Sequence, residues 1–224
     1  MALNIDMIEF ERNPNLGLFG FVNNKYCLLG VEVSSAVKKT LENILKVPVY
    51  YVKIAGTSLA GVFVTGNDNG LVVPSIIFDE EKKELEKIEE NILVLDIKET
   101  ALSNSIIINN NGIVVSPEIN EKARKKLAEF FSLELTETTV SGSDIIGSLA
   151  VANSTKGIIS DEATEDEVET IKTALGISMI KTTLNFGTPY VNSAVLINDK
   201  GILIGKASTT IEINEVDMFY NFDD

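Results

Sequence analysis

Apolar runs of strand length alternate along the chain with turns of Asn, Asp and Gly and with stretches of helical period, and the alternation repeats. The segments GLFGFVNNKYCLL from Gly17, GVFVTGNDNGLVV from Gly61, NSIIINNNGIVV from Asn104, GSLAVANSTKGIIS from Gly147 and NSAVLINDKGILI from Asn192 share one plan of apolar run, polar turn and apolar run. The residue that ends each turn is Tyr26, Gly70, Gly112, Gly157 or Gly201, at intervals of 44, 42, 45 and 44. Val, Ile and Leu around such a turn predict a β-hairpin, because the turn residues accept positive φ at low cost. Where Tyr26 takes the place of glycine, Asn24 is expected to carry the strain.

A helix is predicted after each hairpin. Ser34 and Ser35 precede AVKKTLENIL, Asp79 precedes EEKKELEKIEENI, Ser116-Pro117-Glu118 opens the third, and Asp161 precedes EATEDEVETIKTAL. Val37, Leu41, Ile44 and Leu45 fall on one helical face, as do Val168, Ile171 and Leu175. A further strand ends each unit, at Ile54, Ile97, Val140 and Leu184. The fifth unit has no closing strand of its own, and the run LNIDMIEF over residues 3–10 has strand character at the matching phase. The expectation is an α/β fold in one domain, 1–224, made of five units of hairpin, helix and strand. The units are 11–54, 55–97, 98–140, 141–184 and 185–224, the last completed by strand 3–10, so that the array closes on itself and leaves no open edge.

Composition narrows the function. The 224 residues hold 33 acidic and 19 basic side chains for a net charge of −14, with no His, no Trp and one Cys. Without His there is no Ser-His-Asp triad, no Cys-His dyad and no His-ligated metal. Cys27 lies in an apolar strand and reads as a small hydrophobe. Two phosphate-loop lookalikes, Gly56 to Gly61 and Gly142 to Gly147, lack the Lys and Ser/Thr that must follow, and they recur as repeat turns. Asp161, Glu165 and Glu169 read as a solvated helix face, and Lys38-Lys39, Lys82-Lys83 and Lys125-Lys126 as helix solubility. No catalytic residue, metal or cofactor is expected. Acidity disfavours a phosphate footprint and favours a basic protein partner. No signal peptide or membrane span is read, so the protein is expected in the cytoplasm.

In such a ring, the segments that join each closing strand to the next hairpin fall on one side. Arg12 to Asn15, Ala55 to Ser58, Leu102 to Asn104, Ser141 to Asp144 and Asn185 to Tyr190 would form a face of amides, hydroxyls and aromatics suited to protein recognition.

These same segments carry a resemblance. Ala55 to Gly61, Gly66 to Ser75, Thr100 to Asn104, Gly147 to Asn153 and Thr183 to Val191 together resemble the translation initiation factor 6 family in its archaeal form, through all five units. The resemblance implies a five-fold pseudosymmetric pentein ring, also called a β/α-propeller. It also implies an anti-association factor that sits on the intersubunit face of the large ribosomal subunit. Its main contact there would be a basic ribosomal protein near the sarcin–ricin loop, with limited rRNA contact, and it would block the small subunit by occlusion. The protein would be a monomer, with a possible role in large-subunit biogenesis. Asn104 matches the Asn of the family's Leu-Gly-Asn motif, with Ser103 in place of its Gly. Thr57, Ser58, Asn185, Gly187, Thr188 and Tyr190 match the second-unit and fifth-unit motifs. Other readings are an enzyme of the same fold that modifies guanidino groups, which needs the missing His, and a general protein scaffold.

Overall fold

The structure, a computed structural model, describes residues 4–221. The chain opens with strand β1 (Asn4–Ile8); Leu3, the expected first residue of this strand, lies outside the described residues. The first unit then runs α1 (Leu16–Phe19), β2 (Gly20–Val22), β3 (Cys27–Leu29), α2 (Ser35–Leu45) and β4 (Val49–Tyr51). The second follows with α3 (Ala60–Phe63), β5 (Thr65–Asn67), β6 (Gly70–Pro74), α4 (Asp79–Glu86) and β7 (Ile92–Leu95). The third has α5 (Leu102–Ser105), β8 (Ile106–Ile108), β9 (Ile113–Val115), α6 (Glu121–Phe131) and β10 (Leu135–Glu137). The fourth has α7 (Ile146–Leu149), β11 (Ala150–Ala152), β12 (Lys156–Ser160), α8 (Glu165–Leu175) and β13 (Ser178–Thr182). Last come α9 (Val191–Ala194), β14 (Val195–Ile197), β15 (Gly201–Gly205) and α10 (Thr210–Asn221).

Each unit forms a three-stranded sheet in which the hairpin is antiparallel and the third strand joins it in parallel. In the fifth sheet the third strand is β1, paired with β15 from Asn4↔Gly201 to Ile8↔Gly205. Two ends of the chain therefore share one sheet.

The middle strands are apolar almost throughout because both of their faces are buried, with Lys156 and Ser160 at the two ends of β12 as exceptions. Cys27 and Leu29 turn toward Leu41 and Leu45 of α2, while Leu28 turns the other way and joins Leu71, Val73 and Leu85 of the second unit. The same alternation sends Val72 into the core of the third unit, Val114 into the fourth and Ile158 into the fifth. Leu203 completes the cycle by packing beneath α2 with Leu196. Each core is thus built from two consecutive units, and every fully buried Leu or Ile in it contributes about 1.5–3 kcal/mol.

The short helices α1, α3, α5, α7 and α9 were not expected. One turn of four residues is too brief to show a 3.6-residue period. The long helices also start later than two of the sequence signals suggest. Asn120 caps α6 by accepting from the Ala123 amide, and Thr164 caps α8 by accepting from Glu167. Ser116 instead stabilises the turn before α6, its hydroxyl accepting from the Glu118 amide. Asp161 is exposed and lies upstream of the cap of α8. The closing strands are shorter than expected. Ile54, Val140 and Leu184 stand beyond them and bridge to Thr57, Ser143 and Thr188.

Hairpin-turn chemistry differs from the expectation as well. Asn24 has no positive φ, and neither do Gly70, Gly112, Gly157 and Gly201. At Gly112 and Gly201 glycine stands because a neighbouring helix approaches too closely. A Cβ on Gly112 would lie 2.0 Å from the Ala174 carbonyl oxygen, and one on Gly201 would lie 2.3 Å from that of Ile44. Opposite Tyr26 stands α4, three residues shorter than its counterpart α2, and the Tyr26 hydroxyl donates to Glu89 across the space.

The asparagines have a different task. The buried Asn23 side-chain amide donates to the Asn67 carbonyl at 3.0 Å, Asn67 to Asn109 at 2.9 Å, Asn109 to Asn153 at 3.2 Å and Asn153 to Asn198 at 3.3 Å. Asn198 then donates to Asn23 at 3.0 Å, which closes the circuit. Each Asn oxygen also accepts from its own turn, as Asn109 does from the Asn111 and Gly112 amides. Only a side chain with both a donor and an acceptor serves both needs.

Candidate functional site

The five short helices contact one another in sequence, α1 with α3, α3 with α5, α5 with α7, α7 with α9 and α9 with α1. Their packing is close enough to exclude a side chain: a Cβ on Gly17, Gly61 or Gly147 would sit 2.0 Å from the carbonyl oxygen of Asn192, Gly17 or Ser103. Ser103 holds the matching place in α5, and its hydroxyl accepts from the Asn192 side chain at 3.4 Å.

Beside these helices is a groove of about 370 Å³, lined among others by Asn15, Val62, Asn104, Ile145, Ser148, Thr188, Tyr190 and Ser193. The groove brings together three of the expected contact residues, Asn104, Thr188 and Tyr190. Asn104 is half-buried, and its side-chain oxygen accepts from the Ser148 hydroxyl at 3.1 Å, leaving the NH₂ end without a donor contact among the described residues. Tyr190 is exposed.

The other expected residues stand apart from this groove and are tied to the scaffold. The Thr57 hydroxyl donates to the Ile54 carbonyl and accepts from the Leu59 amide. Ser58 presses its carbonyl oxygen against Gly30, where a Cβ would lie at 2.0 Å. Asn185 donates its side-chain amide to the Pro14 carbonyl at 3.1 Å and to Asn15 at 3.3 Å, so it joins the fifth unit to the first. Gly187 is exposed, with φ 82°.

Four of the five joining turns place two or three consecutive residues in the left-handed region: Glu11 and Arg12, Ala55 and Gly56, Ser141 and Gly142, and Asn185, Phe186 and Gly187. In three of them a glutamate from the following helix binds the amides of the turn. Glu81 accepts from Ala55 and Gly56, Glu167 from Ser141 and Gly142, and Glu212 from Phe186 and Gly187. Each glutamate also accepts from the amide at the start of its own helix, that of Phe78, Thr164 or Thr209. Burial works to raise the pKa of Glu167, but the bonds from the Thr164 and Gly142 amides, the Thr139 hydroxyl and the Ser141 amide outweigh it and hold it at about 2. Glu212 is also held below the ordinary carboxylate value: burial opposes this, and the Thr209 and Gly187 amides with the Thr183 and Thr209 hydroxyls prevail.

Phe186 lies in the segment Asn185 to Tyr190 expected on the recognition face, but it is not among the individual contact residues expected from the family motifs. It is 81% exposed, and Ile211, beside Glu212 in the chain, is 71% exposed. The turn from Leu184 to Thr188 is one residue longer than those from Ile54 to Thr57 and from Val140 to Ser143, and it sets an aromatic side chain in the left-handed region, where one is out of keeping.

The remaining candidates are accounted for structurally. Cys27 is fully buried, and burial pushes its thiol up to about 12. Glu165 pairs with Lys181 and Glu169 with Lys172. Lys38, Lys82 and Lys125 each pair with a glutamate on their own helix. Among the described residues no helix is long and apolar enough to cross a membrane.

The comparisons with known proteins agree with one another. The solved structure of a dimethylarginine dimethylaminohydrolase adduct superposes with a TM-score of 0.50 at 14% identity, over 75% of this chain and 69% of that one. The N-terminal domain of a cyanobacterial arginine dihydrolase gives 0.50 at 15% identity, over 82% and 76%. At such identity the likeness shows the fold alone, a pentein-like α/β fold. Translation initiation factor 6 of Staphylothermus marinus is 36% identical over 215 residues, 94% of this chain and 95% of that protein. The factor of the same name from Picrophilus torridus is 31% identical over 95% and 98%, and that from Pyrococcus horikoshii 26% over 98% and 100%. With the family model for eIF-6 matching residues 5–219, this chain belongs to the eIF-6 family.

Proposed function

We propose that this translation initiation factor binds the large ribosomal subunit at its intersubunit face and prevents the small subunit from joining by occlusion. The observation that carries this reading is the groove beside the short helices. It gathers Asn104, Thr188 and Tyr190 with Ile145 and Ser193, so hydrogen-bonding groups with spare capacity surround an aromatic anchor, the mixture that protein interfaces favour. Thr57, Ser58, Ser103, Asn185 and Gly187 complete the contact face as residues that fix its backbone. As the family resemblance implies, the partner is a basic ribosomal protein near the sarcin–ricin loop, and a charge of −14 is in keeping with limited rRNA contact.

On this reading residues 1–224 form one domain and a five-fold pseudosymmetric pentein ring, supported by the closed asparagine circuit and the shared cores. The factor works as a cytoplasmic monomer, without catalytic residues, metal or cofactor, and a role in large-subunit biogenesis is compatible with the same contact. The guanidino-modifying alternative is opposed by the burial of Cys27 and the absence of His. Co-sedimentation with separated ribosomal subunits tests the proposal: the protein should travel with the large subunit only. Asn104→Ala should weaken that binding by about 1–3 kcal/mol through an unpaired interface group. Sedimentation with neither subunit would overturn it.

A further inference from the structure

Phe186 combines three features that rarely occur together: a bulky side chain, a left-handed backbone at φ 66°, and 81% exposure. Nothing in the fold is gained by this placement, since the side chain is out of the core and the conformation is one that aromatic residues avoid. The shorter turns at Ala55–Gly56 and Ser141–Gly142 use two left-handed residues, one of them glycine, whereas here Asn185, Phe186 and Gly187 are left-handed in succession. Strain of this kind persists only where the surroundings enforce it. Here Glu212 enforces it. Its buried carboxylate accepts from the Phe186 amide at 3.3 Å and the Gly187 amide at 2.8 Å, and it is itself fixed by the Thr183 hydroxyl at 2.9 Å and by the amide and hydroxyl of Thr209 at 2.6 and 2.9 Å. Five donors on one carboxylate leave it no other arrangement.

Building on the ribosome-binding reading, we propose that Phe186 is an apolar anchor of the contact face, entering a pocket on the basic protein partner, and that Glu212 is its positioning residue. A protein pocket is the occupant rather than a nucleotide base. Residues 161–224, which surround the anchor in the chain, hold twelve acidic side chains against four basic ones, a field that repels phosphate and attracts cationic protein surface. Exposed aromatics on rigid backbone are efficient anchors because little conformational freedom is lost on docking. Phe186 is four residues from Tyr190, so the anchor extends the groove face without a break in the chain.

The test compares Phe186→Ala, Glu212→Gln, the double variant, and Glu167→Gln. The last weakens the corresponding clamp at the Ser141–Gly142 turn, which carries no aromatic side chain. Two quantities are read for each: hydrogen exchange at the 186 and 187 amides, and affinity for purified large subunits. Glu212→Gln should speed exchange at both amides and lower affinity, each by roughly tenfold, the weight of a charged hydrogen bond. Phe186→Ala should lower affinity by at least as much, and adding Glu212→Gln to it should lower affinity no further, because the carboxylate acts through the aromatic ring. Glu167→Gln should change neither quantity. Unchanged exchange in Glu212→Gln would overturn the clamp, whatever the ribosome does. Native affinity in Phe186→Ala, or an undiminished effect of Glu212→Gln in its background, would overturn the anchor. The ribosome-binding reading itself fails separately, by absence of the native protein from the large-subunit fraction.

Discussion

The side-chain amide of Asn198 donates to the backbone carbonyl of Asn23 at 3.0 Å, although 175 positions separate them in the chain. The same amide reaches the Leu45 carbonyl at 2.9 Å, and its oxygen accepts from the Lys200 and Gly201 amides. One buried residue therefore ties the last hairpin to the first unit at two points and holds its own turn at two more.

Asn198→Leu keeps the branching at Cγ and removes all four bonds, leaving buried carbonyls and amides unpaired. The expected cost is about 3–5 kcal/mol, read as a lower urea midpoint at unchanged slope. An unchanged midpoint would mean that the circuit adds nothing to closure.

Two glycines separate the cost of crowding from the cost of backbone strain. Gly112→Ala places a Cβ 2.0 Å from the Ala174 carbonyl oxygen and should destabilise by about 1–3 kcal/mol. Gly142→Ala meets no atom within 4 Å but must hold φ 66°, which costs about 1 kcal/mol. Thermal melts of the two variants should rank them in that order.

Acid should loosen the joining turns in a defined direction. Glu167 is held at about 2 against an ordinary 4.5, so its clamp contributes fully above the ordinary value and is lost as pH falls toward the lower one. Stability of the native protein should drop between about pH 4.5 and 2 more steeply than that of Glu167→Gln, which has no such group to protonate. Equal slopes in urea titrations across that range would remove the clamp from the stability of the turn.

Much of this fold was legible because each unit repeats both its apolar runs and its turn asparagines. The interval of 42 to 45 residues located every hairpin, and the missing last strand drew attention to residues 3–10. What was not legible is what depends on neighbours rather than on the chain itself. Asn23 and its counterparts suggested turns, but their bonds run to the next unit and cannot be read from local spacing. Gly112 suggested a left-handed turn, whereas its reason is the carbonyl of Ala174, 62 positions away. The candidate site shows the same limit. Asn104 and Tyr190 belong to motifs, and both line one groove. Phe186 stands in the expected segment Asn185 to Tyr190, but its exposure and backbone angle are encoded by no pattern of polar and apolar residues.

The central claim is occlusion, and the most direct measurement is subunit joining followed by light scattering after small subunits are added to large subunits preloaded with this protein. The account predicts that joining falls in proportion to the fraction of large subunits occupied, and that preloading the small subunits instead has no effect. Joining at the normal extent on fully occupied large subunits would contradict it.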